Sequence, residues 1–190
     1  KERYEGTLES GAPLAIYADQ AVPDADTTLR VAVRDIQVPL RPIPEPEPLE
    51  EALARAVTRL DELRASHASD QEIRAQTMVC KRIDRQATTA RRYNGMDHHV
   101  LELQVFALGD RVALVAMPGE PFVEIGLAVK GESPFPHTFF SGYSNVGGGY
   151  MPMPDAYPLG GYEVERTPYS PDAAAQVIND SLGLLRELAA

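Results

Sequence analysis

Residues 112–131 read VALVAMPGEPFVEIGLAVKG. The unbroken apolar run Val112–Met117 predicts a strand buried on both faces. Pro118-Gly119 ends it, and glycine lets the chain bend tightly there. The following segment predicts a helix, with Pro121 suited to its first turn and Gly131 to its end. Strand, tight turn and helix in this order predict an α/β layer fold. Glu120 stands at the carboxyl end of the strand, where open α/β sheets place their ligand sites.

Working outward, the neighbouring segments agree with that frame. Val100–Phe106, VLELQVF, alternates apolar and polar residues and predicts a strand, joined through Gly109-Asp110 to Val112–Met117 as a β-hairpin. HTFFSGY (137–143) predicts a further strand. Leu29–Leu40 alternates in the same way, and LAIYA (14–18) is a short strand candidate in an otherwise irregular 1–28. The run PLRPIPEPEP (39–48) lacks the N–H groups of a sheet ladder and predicts an extended connector. Leu49, Leu53, Val57, Leu60 and Leu63 recur at helical spacing over 49–66. SHASDQE (66–72) breaks that helix, and Ser69 or Asp70 caps a second one over 70–93. The pair forms a helical hairpin, expected on a sheet face. Ser170-Pro171-Asp172 opens a C-terminal helix with Ala174, Val177, Ile178, Leu182, Leu185 and Leu188 on its buried side. The predicted fold is a mixed α/β sheet with a helical hairpin and flanking helices.

Composition bounds the function. The 190 residues are 44% hydrophobic, which suits one globular domain. A formal charge of −10 argues against nucleic-acid binding, which needs concentrated Lys and Arg. No apolar run has the length of a transmembrane segment. A single cysteine, Cys80, cannot form an intrachain disulfide and reads as a small packing residue. The chain opens at Lys1 with no secretory-type apolar run, and we expect a processed or trimmed product. The compartment stays open, secreted and periplasmic locations included.

Few residues offer chemistry. Glu120 is a candidate metal ligand or general base, or a carboxylate stabilised by a helix N-terminus with no further role. Some thirty residues on, Gly147-Gly148-Gly149 precedes Tyr150, with Tyr157 and Tyr162 beyond. No Gly-Lys-Ser/Thr follows the glycines, so this is not a phosphate loop. The phenols are packing aromatics, metal ligands or donors to an oxyanion. Adjacent His98 and His99 at a strand entry face opposite ways and do not suit one metal.

Taken in order, VALVAMPGE (112–120), SGYSNV (141–146), Tyr150, Tyr157 and GGYE (160–163) resemble the neutral, non-lysosomal ceramidase family, and more closely its bacterial ceramidase-like branch. The resemblance covers most of the chain, with 1–28 least included. It implies the C-terminal part of a larger layered α/β catalytic domain, divided into a strand and Pro-rich connector (1–48), a helical hairpin (49–94) and a site-bearing segment (97–190). It implies a zinc-dependent amidase cleaving an N-acyl, lipid-like amide. Glu120 and Tyr150 fall on zinc ligands, and Tyr162 on the tyrosine near the scissile carbonyl. Gly148, Gly149 and Tyr157 are expected to contact substrate. The family's two zinc histidines match none of His67, His98, His99 or His137, so the expected partner is an N-terminal half that supplies them. The sequence after Glu120 departs from the threonine-rich stretch of the better-known ceramidases, and their immunoglobulin-like domain has no counterpart. A non-catalytic binding module, or a hydrolase of another amide or ester, are the alternatives.

Overall fold

Period-two alternation upstream and downstream of the helical hairpin becomes two eleven-residue strands, β3 (Leu29–Pro39) and β4 (His98–Leu108), paired antiparallel along their whole length. The computed structural model describes residues 3–7 and 13–17 as paired backbone strands, and residues 27–145 and 147–190 in full. The strands β1 (Arg3–Thr7) and β2 (Pro13–Tyr17) form an antiparallel pair, so the short strand candidate falls on β2. Strand β5 (Val112–Ala116) continues the main sheet antiparallel to β4. After β6 (Glu120–Pro121) and helix α3 (Val123–Glu132), strand β7 (His137–Ser141) returns parallel to β5. The four-stranded sheet is therefore mixed, in the order β3-β4-β5-β7.

The hairpin helices are α1 (Pro46–Ala65) and α2 (Asp70–Tyr93). Helix α1 starts inside the proline-rich run, because a first-turn proline gives up an N–H that has no intrahelical partner. Ser69 caps α2 reciprocally: its hydroxyl accepts from the Glu72 amide at 3.3 Å, and the Glu72 carboxylate accepts from the Ser69 amide at 3.0 Å. The expectation of a hairpin laid on a sheet face is corrected. Each helix packs chiefly against the other, burying Ala56, Leu60, Ala87 and Ala90. Tyr93 joins the hairpin to the main core.

Helix α5 (Ala173–Ala189) and α3 cover one face of the sheet. Ile36, Val38, Leu103, Val105 and Val115 meet Ile125, Val129, Val177 and Leu185 there. Each such side chain contributes roughly 1.5–3 kcal/mol on burial. The opposite face is open. Val31, Phe106, Leu114 and Phe139 stand in one register row across all four strands. The expectation that Val112–Met117 is buried on both faces is thus corrected at Leu114, which is 37% exposed, whereas Ala113, Val115, Ala116 and Met117 are buried. The two helices that pack on this sheet both lie on the other face. Among the described residues no helix is long and apolar enough to cross a membrane.

The stretch 144–168, rich in Gly, Pro and Tyr, carries short elements. They are β8 (Tyr150–Met151), a 3-10 helix (Pro154–Leu159) and α4 (Tyr162–Arg166). Pro121, expected in the first helical turn, instead pairs with Met151 in a two-residue parallel ladder between β6 and β8.

Candidate functional site

Parallel strands β5 and β7 end side by side, so the turns that follow them, 117–120 and 142–145, lie together. Backbone bonds tie the two turns. The Met117 amide donates to the Ser141 carbonyl at 3.0 Å, Ser144 to Met117 at 3.1 Å, and Tyr143 to Gly119 at 2.7 Å. The glycine loop closes over them from a third side, where the Glu120 amide donates to the Gly149 carbonyl at 2.8 Å. Gly119 is indispensable to this approach. Its φ is +87°, and a Cβ there would lie 2.7 Å from the Gly149 oxygen.

These contacts bring Glu120 opposite Tyr150 in the ladder. The Tyr143 hydroxyl donates to Glu120 Oε2. Hydrogen bonding to the Glu120 carboxylate, then desolvation, pushes the Tyr150 phenol up to about 12, and the same two causes raise Tyr143. One carboxylate is therefore served by two phenols that it keeps protonated. Tyr143 adopts φ +56°, a left-handed conformation that costs a bulky residue roughly 1–2 kcal/mol. Its backbone bond to Gly119 helps to offset that cost. Asn145, at φ +63°, tolerates the same region more easily and donates to Glu102 at 3.1 Å.

The cluster opens into a cavity of about 480 Å³. Glu120, Lys130, Tyr143, Tyr150 and Glu163 line it together with Phe122, Val123, Leu127 and Phe140. Val123 and Leu127 are 70% and 59% exposed, so they form an open rim rather than a closed core.

No family model and no curated protein matches this sequence. Among solved structures, the chain is similar to neutral ceramidase from Pseudomonas aeruginosa, at 25% identity and a TM-score of 0.42. That likeness covers 50% of this chain and 17% of the length of the ceramidase.

Of the residues singled out in the sequence, Glu120 and Tyr150 come together, and the Tyr162 ring sits edge-on to Tyr150 with centroids 5.7 Å apart. The Arg166 guanidinium lies 4.5 Å over the Tyr162 ring. Tyr162 lines an adjacent cavity with Arg41 and Arg85, rather than the one around Glu120. Tyr157 points into the fold, donating to the carbonyls of Tyr169 and Ser170 at 3.0 and 3.1 Å. The carbonyls of Gly148 and Gly149 are both engaged within the protein, by the Tyr169 hydroxyl at 2.5 Å and the Glu120 amide at 2.8 Å. His98 bonds Asp97, while His99 Nδ1 lies 3.0 Å from the Tyr169 hydroxyl, so the adjacent imidazoles have separate partners.

The carboxylate of Glu120 and the phenol of Tyr150 supply two oxygen donors on facing strands. Among the described residues, no group of three His, Cys, Asp or Glu side chains could hold a metal.

Tyr143, Thr167 and Tyr169 were not singled out from the sequence for the site. Thr167 and Tyr169 are fully buried beneath it. The Thr167 hydroxyl donates to the Tyr150 carbonyl at 2.7 Å and accepts from the Tyr169 amide at 3.1 Å. Only Tyr143 had a local signal, as an aromatic directly after the Ser-Gly that ends a strand.

Proposed function

We propose that this chain is the C-terminal part of a zinc-dependent hydrolase that cleaves an N-acyl amide with a lipid-like chain. The observation that carries this reading is the convergence of Glu120 and Tyr150 across a parallel ladder, in a cavity lined by both polar and apolar side chains. The ordered motifs that resemble the ceramidases support it. Glu120 and Tyr150 would hold the metal, with two histidines from an N-terminal half. That half would also cover the open face bearing Val31, Leu114 and Phe139.

Bound zinc supplies a water of pKa near 7 and polarises a carbonyl oxygen. The residues of this chain do the remainder. Glu120 keeps the neighbouring phenols protonated while no cation is present. Were zinc bound, Glu120 and Tyr150 would hold it, and Tyr150 would give up its phenolic proton to act as a ligand. Tyr162, steadied by Tyr150 and Arg166, would donate to the oxyanion that develops on the amide carbonyl. Phe122, Val123, Leu127 and Phe140 would take the acyl chain. Gly148, Gly149 and Tyr157 would shape the loop against which the substrate lies.

The test is metal content and turnover of the full-length protein. Zinc retained by wild type and lost in Glu120→Ala and Tyr150→Phe, with hydrolysis of long-chain N-acyl substrates, is the expected result. Wild-type protein without zinc supports a non-catalytic binding module, the reading favoured by the incomplete ligand set. Zinc with turnover confined to simple esters or short amides removes the lipid assignment.

A further inference from the structure

Tyr143 combines three features that rarely coincide on a surface aromatic. It is 75% exposed, its backbone is left-handed, and its hydroxyl reaches the carboxylate on which the proposed site is centred. An exposed ring gains little from packing, so burial does not account for a bulky side chain in a conformation that favours glycine. The backbone bond from the Tyr143 amide to the Gly119 carbonyl would form equally with glycine at this position. What only tyrosine adds is the hydroxyl on Glu120 Oε2.

We infer that Tyr143 is a positioning residue, whose phenol fixes the Glu120 carboxylate in the orientation that faces Tyr150 and the cavity. The inference deepens the proposed function, since it concerns the same carboxylate. Glu120 sits in a two-residue strand whose neighbours are a turn and a helix start, so its backbone is held while its side chain has several rotamers. Ladder pairing brings Tyr150 opposite it but leaves that side-chain freedom. A second donor, arriving from the turn after β7, selects one of those rotamers. The backbone strain at Tyr143 is what aims the ring at that point.

Two variants of the full-length protein separate this role from a structural one. Tyr143→Phe keeps the ring and removes the hydroxyl. Tyr143→Gly relieves the left-handed backbone and removes the ring. The expected results are an unchanged thermal midpoint for Tyr143→Phe and a raised midpoint for Tyr143→Gly. Both should lose about tenfold in affinity for added zinc and in kcat, with KM little changed. A third measurement needs neither metal nor turnover: NMR of the carbon-13-labelled Glu120 side chain. One rotamer in wild type and several in Tyr143→Phe supports the inference. The same single rotamer in both proteins overturns it, whatever the zinc and activity results. Wild type lacking zinc and turnover would sink the proposed function while the rotamer measurement still decides the role of Tyr143.

Discussion

Tyr169 and Tyr143 approach the Glu120 turn from opposite sides and do opposite work. Tyr169 is fully buried, and burial holds its phenol far above the usual range. Its hydroxyl supports the Gly148 carbonyl, its ring stacks with His99, and it belongs to the main core. Tyr143 is largely exposed and touches the site through its phenol. The same side chain serves stability in the first place and geometry in the second. Burial and backbone conformation, not residue type, decide which.

The largest effect should come from removing the lower tyrosine. Tyr169→Ala leaves a core cavity and frees the glycine loop, and should cost about 4 kcal/mol in urea unfolding. A loss below about 1 kcal/mol would break the comparison, because Tyr169 would then be dispensable in the way an exposed tyrosine is. Gly119→Ala should follow at about 3 kcal/mol, since the new Cβ meets the Gly149 oxygen and φ stays positive. Site geometry should fail before the core does, so zinc binding should be lost in protein that still unfolds cooperatively.

The smallest effect sharpens the upper side of the comparison and is read by absorbance during alkaline titration of metal-free protein. The Tyr150 phenol, raised to about 12, should ionise late. Its raised value marks a contribution to stability that is complete below the ordinary value of 10 and is lost as pH climbs through about 12. Glu120→Gln removes the negative charge and should bring both Tyr150 and Tyr143 back toward 10. An unchanged titration would mean that Glu120 does not govern Tyr150.

Most elements were legible because their signals are local. The capping box at Ser69 and Glu72, the alternation of β3 and β4, and the periodicity of α5 each lie within one segment. The short elements of 150–166 escaped because β8 is fixed by Glu120 and Pro121, about thirty residues upstream in the chain. The open face escaped for a related reason: an unbroken apolar strand predicts burial on both sides but does not say what buries it. The order of the motifs singled out Glu120 and Tyr150, which the ladder brings opposite each other. Tyr143 was not singled out, because its importance rests on a φ value and on a hydrogen bond to Glu120, 23 residues earlier.

The ladder that pairs Glu120 with Tyr150 spans only two residues of each strand and closes a loop of thirty, from 120 to 150. A ladder of two residues opens at lower free energy than the four-stranded sheet beneath it. The carboxylate and the phenol therefore part in small excursions that leave the core intact. Anything that bridges them acts as a clasp, and the occupancy of the site sets how often the loop is released.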